Sequence, residues 1–258
     1  MIATVAHPPP VRQRADDQAA GLRRLFAPPA ARLLPVLCTG AGSAEAPWLA
    51  RLGEAFACAG QQTVLVDAAR AQIAASFGLR ARFDLMHALD GQCAAAQVRL
   101  DAAPRLAVVP AARACERAAV AGLALPALLS PLLLAEAVDM LLTLLPPSCA
   151  RLVPAGDVLV PVLPTRESVA AAASCIGEAA SRQGTLTFRV LFLGMEKAAA
   201  DTLGKRMADS IGVRSKAVLR HGAVAPLPRD LTQVVAASSA FALSRIATAP
   251  RIGSGETR

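Results

Sequence analysis

Apolar residues in this chain gather into runs of strand length that do not alternate with polar ones, and stretches of helical period separate the runs. The first run, from Arg32 to Thr39, is closed by Gly40; a helix is predicted over 46–59, and after Gly60 the run TVLVD ends at Asp67. That is one strand–helix–strand unit. The runs at 105–112, 138–145, 157–164 and 188–194 repeat the character, with helices predicted over 165–182 and 196–211. Unalternating strands are buried on both faces, so the pattern predicts an α/β fold: a mostly parallel sheet flanked by helices, with right-handed crossovers. A last helix is expected over 230–246.

The ends read differently from this body. Residues 1–15 carry a proline triplet and read as a flexible tail. Over 16–27 an Asp can cap a short helix in which Leu22, Leu25 and Phe26 share a face, until Pro28 and Pro29 stop it. The domain proper is expected over 32–248, with 249–258 a second flexible tail. The most apolar stretch, Ala118 to Ala135, has the length at which a membrane span must be weighed. Pro126 and Pro131 are expected to divide it into short pieces, a buried helix plus a loop.

Composition narrows the function classes. Of 258 residues, 54% are hydrophobic and 18% charged, which excludes a disordered body. The net charge of +8 favours an acidic protein or an anionic surface, but scattered Arg, a lone Trp48 and no Tyr argue against a nucleic-acid groove. Six widely spaced Cys and three distant His support neither a zinc site nor a disulfide framework, so no metal site is expected. The first residues lack the charged and apolar pattern of a secretory signal, which points to the cytoplasm.

The turn after the first strand is where an open α/β fold holds phosphate, and here it reads Cys38-Thr39-Gly40-Ala41-Gly42-Ser43-Ala44-Glu45-Ala46. A phosphate loop needs converging backbone N–H groups, a Lys for charge and a Ser/Thr hydroxyl for magnesium. Only part of the backbone requirement is met. The chain resembles the MinD/ParA family of P-loop ATPases over roughly 16–246, in register with the strand that ends at Asp67. The resemblance implies that Gly42 keeps a family glycine, while Gly40 stands at the signature lysine, Glu45 at the Walker lysine and Ala46 at the magnesium-binding Thr. It also implies that Asp67 keeps the first carboxylate of an Asp-x-Asp pair whose second is Ala69. Leu144 replaces the Walker B acid, and Leu193 the adenine-contacting Asn. A carboxylate facing triphosphate substitutes repulsion for attraction. The expectation is therefore a degenerate nucleotide site with ATP hydrolysis lost or weak, no cofactor where the family uses ATP and Mg2+, and a monomer.

The segment Asp17-Gln18-Ala19-Ala20-Gly21-Leu22-Arg23 is similar to the one preceding the ATPase domain of FlhG/FleN-type regulators of flagellar number. The resemblance implies docking on an FlhF-type GTPase: Gln18 directed at the active site, Leu22 an apolar anchor, Arg23 a charge partner, with Asp17 and Ala19 beside them. It extends to flagellar switch or basal-body proteins as further partners. An amphipathic helix packed on its own domain is the competing reading of the arm. The body would suit an atypical MinD-like ATPase, or a MinD-like accessory protein of cellulose secretion, equally well. Phe241, Leu243, Arg245 and Ile246 are the candidates for peripheral contact with the inner membrane, against which Ser238, Ser239 and Thr248 weigh.

Overall fold

The computed structural model describes residues 31–40, 45–70, 72–135, 138–154, 156–182, 186–212 and 218–225. The arm at 16–27, Gly42, and the expected helix over 230–246 lie outside them. Among the described residues, eight strands form a single sheet: β1 (Arg32–Leu37), β2 (Thr63–Asp67), β3 (Leu100–Ala103), β4 (Leu106–Pro110), β5 (Met140–Leu145), β6 (Gly156–Val162), β7 (Leu186–Leu193) and β8 (Val218–Ala225). Their order across the sheet is β3-β4-β2-β5-β1-β6-β7-β8. All pairings are parallel except β3 with β4. The α/β sheet expected from the unalternating runs is the observed one.

Helices cover both faces: α1 (Glu45–Cys58), α2 (Gln72–Ser76), α3 (Leu85–Leu89), α4 (Ala95–Val98), α5 (Ala112–Ala121), α6 (Leu125–Ala135), α7 (Arg166–Arg182) and α8 (Lys197–Gly212). Successive strand side chains point to opposite faces. Leu34 and Val36 of β1 therefore join Trp48, Leu49 and Phe56 of α1 in one apolar cluster. Leu33 and Leu37 join the opposite cluster, with α5, α6, α7 and α8. A strand buried in both clusters has no polar face to show, which is why its sequence does not alternate.

The stretch from Ala118 to Ala135 departs from expectation. Gly122, at φ +71°, caps α5, and α6 then continues through Pro131 instead of breaking there. Pro131 has no N–H for the Ala127 carbonyl, and the neighbouring Ser130 hydroxyl donates to that oxygen at 2.9 Å. Among the described residues, no helix is long and apolar enough to cross a membrane.

Candidate functional site

The carboxyl ends of β1, β2 and β5 lie side by side at the centre of the sheet, and the sequence candidates collect there. Val36 of β1 and Asp67 of β2 both stand in register with Leu144 of β5. The Cys38 N–H donates to the Leu145 carbonyl at 2.8 Å, so the loop after β1 begins only at Thr39. Gly40 turns that loop with φ +71°, a left-handed conformation that favours glycine.

Glu45 opens α1, and its side chain is 2% exposed. The carboxylate turns back into the loop that precedes it. It accepts the Thr39 N–H at 3.0 and 3.1 Å, the Gly40 N–H at 3.4 Å, the Thr39 hydroxyl, and the Cys38 thiol at 2.8 Å. Among the described residues no Lys or Arg pairs with it. Burying a carboxylate without a cation is costly unless donors satisfy it, and hydrogen bonds to a charged acceptor each contribute about 1.5–3 kcal/mol. Burial first, then the charge and hydrogen bond of Glu45, push the Cys38 thiol up to about 12, so it remains a donor. The Cys175 thiol of α7 donates to the Cys38 carbonyl at 3.8 Å. Burial, followed by Glu45, pushes its thiol up to about 12 as well.

The other candidates take structural positions around this cluster. Asp67 is fully buried, and its two carboxylate oxygens accept the N–H groups of Ala69 at 2.9 Å and Ile73 at 2.7 Å, tying β2 to the start of α2. Ala46 and Leu144 are buried in the apolar cluster under α1. The structure thus brings Gly40, Glu45, Ala46, Asp67 and Leu144 to one end of the sheet. Sequence placed Cys38 and Thr39 in the loop but gave them no role, and Cys175 had no signal, because what they do depends on the direction Glu45 takes.

A second feature sits at the carboxyl ends of β2 and β4. There a cleft of about 420 Å³ is lined by Arg70, Arg82 and Arg113 together with Phe83, Asp84 and His87. Asp84 is committed to backbone, accepting from Met86 at 2.9 Å, Arg113 at 3.2 Å and Ala114 at 3.3 Å. Arg82 lies 5.1 Å from the Phe83 ring centre. Three segments far apart in the chain supply these residues, so no local pattern announced them.

A search of family descriptions finds no match for the chain, and neither does a search of curated proteins. Its fold is shared with several solved structures. MinD cell division protein of Aquifex aeolicus, known also in a MinC:MinD complex, is 16% identical with a TM-score of 0.57, over 83% of this chain and 89% of that one. A plasmid partition protein of Borrelia burgdorferi bound to AMPPNP is 11% identical with a TM-score of 0.57, over 83% and 99%. Cobyrinic acid a,c-diamide synthase of Mycobacterium smegmatis, with ADP and magnesium, is 19% identical with a TM-score of 0.56, over 82% and 92%. The chain has the fold of MinD/ParA-type P-loop ATPases.

These neighbours correct one expectation. Bound ADP, ATP analogue and magnesium are the pattern of this fold, so the absence of a cofactor does not follow from the altered loop. Among the described residues of the loop, Thr39 and Gly40 aim their N–H groups at one carboxylate, the kind of donor pair a phosphate would also use. The side chains do not match magnesium triphosphate as they stand: Glu45 already takes those donors, and both oxygens of Asp67 are engaged. Among the described residues no group of three His, Cys, Asp or Glu could hold a metal ion.

Proposed function

We propose that this chain is a regulatory protein that acts by binding another protein, with the MinD/ParA-type domain as scaffold and the arm before it as the contact. The observation that carries this reading is the Glu45 carboxylate, which engages the loop's donors where a nucleotide-driven switch would keep them for phosphate. The partner is suggested by Asp17, Gln18, Ala19, Leu22 and Arg23, whose order is similar to the GTPase-docking segment of FlhG-type regulators. On this reading the arm docks on an FlhF-type GTPase and modulates its GTP hydrolysis, and flagellar number is the process regulated. Gln18 orients water or closes the hydrolytic site, and Arg23 offsets charge on the transferring phosphoryl group. The MinC:MinD complex, in which a protein of this fold is held by a protein partner, supports such a role.

The test is GTP hydrolysis by the cognate GTPase with wild type and with Gln18→Ala. Stimulation should be lost while circular dichroism and unfolding temperature stay unchanged; equal stimulation by the variant rejects the docking assignment. A second reading, an atypical MinD-like ATPase, is favoured by the surviving Thr39 and Gly40 donors. Calorimetric titration with magnesium-ATP separates the two, because turnover of the bound nucleotide without any partner belongs to the ATPase alone.

A further inference from the structure

Glu45 begins a 14-residue helix, where a carboxylate is favoured by the unsatisfied N–H groups of the first turn. An exposed acidic residue would suffice for that. This one is buried and folded back across the loop, accepting from three consecutive residues, Cys38, Thr39 and Gly40. Successive backbone N–H groups converging on one point form an anion-binding concavity. The Thr39 hydroxyl and the Cys38 thiol complete the donor set, and the thiol stays protonated throughout the physiological range. This is the donor set of a bound anion, supplied with an anion from the chain itself.

We infer that Glu45 is a tethered anion that occupies the concavity formed by Cys38, Thr39 and Gly40 after β1, so that their donors are aimed at an anion without phosphate, and any phosphate-bearing ligand must first displace Glu45. A group held on the same loop competes at an effective concentration that a free ligand rarely reaches. Entry of nucleotide is therefore conditional on moving one side chain. The inference concerns the loop alone and stands whether or not the arm docks on a GTPase.

The test uses the full chain as wild type, Glu45→Ala and Glu45→Gln, with thermal unfolding followed in inorganic phosphate against chloride at equal ionic strength. Phosphate stabilises folded proteins in general, so the readout is the difference between variant and wild type. Both variants should unfold about 4 °C or more below wild type, since donors are left without their charged acceptor. Phosphate should restore Glu45→Ala, with half-saturation at least about tenfold lower than for wild type. Glu45→Gln keeps the shape without the charge, so it covers the case in which the alanine variant does not fold. Equal phosphate response in wild type and variants would overturn the inference. So would a glutamine variant as stable as wild type, or an alanine variant that folds but is not rescued.

Discussion

The buried acids among the described residues accept backbone N–H groups, and Glu45 accepts side-chain donors as well. Asp67 holds the N–H groups of Ala69 and Ile73, so Asp67→Ala leaves both without that acceptor at a fully buried position. The expected loss is about 2–4 kcal/mol in urea unfolding, with Asp67→Asn costing less. The buried thiols give a pH dependence. Cys38 and Cys175 are raised in the folded state from 9.0 to about 12, so between those values the folded chain binds more protons than the unfolded one. Stability is complete below pH 9.0 and falls as pH rises toward about 12. Thermal unfolding across that window should show the fall, and Cys175→Ala should make it shallower. A flat profile would mean that these thiols ionise as freely folded as unfolded.

Between elements, close approach and pairing decide which substitutions matter. Gly53 lets α1 lie against the sheet: a Cβ there would stand 2.8 Å from Leu65 Cδ2 and 3.2 Å from Leu106 Cδ1, both fully buried residues. Alanine gains about 1 kcal/mol in helix propensity but overpacks a core, at about 1–3 kcal/mol. Gly53→Ala should be destabilising by about 1 kcal/mol net in equilibrium unfolding, although the same change in an exposed helix would stabilise. Farther along the sheet, Arg189 of β7 is nearly buried and pairs with Asp157 of β6 at 2.5 Å. Asp157→Asn removes the anion from a buried guanidinium and is expected to cost about 2–3 kcal/mol, less than a fully buried pair because Asp157 is partly exposed.

The whole molecule is organised around the centre of its sheet, where β5 and β1 are flanked by β2 and β6. The resemblance to MinD/ParA ATPases implies a signature lysine that reaches across a nucleotide-bound dimer, with Gly40 at its position in this chain. We expect a monomer whose mass in light scattering is the same with and without magnesium-ATP; a nucleotide-dependent doubling would show that dimerisation uses other charges. Except for β8, whose run is interrupted by Arg220, His221 and Gly222, the long strands were legible in sequence because burial on both sheet faces imposes continuous apolar runs, and so were the helices over 165–182 and 196–211. The antiparallel β3, with its short, half-exposed LDAA, was not, and neither were the helices of four and five residues, α2, α3 and α4. Such short segments have no period of their own and are held by the partners they meet.

From sequence alone come the α/β class, the place of the loop after β1, the residues that fill it, and the charge of Glu45, because hydrophobic patterning and residue identity are local properties. Sequence could not say where that charge goes. A carboxylate at the head of α1 was expected to face an incoming triphosphate. Only the tertiary structure, by setting Cys38, Thr39 and Gly40 against the start of α1, turns it inward to satisfy donors. Direction is decided there because a buried charge goes to the donors that offset its lost hydration, and those donors are assembled only when β1, its loop and α1 come together.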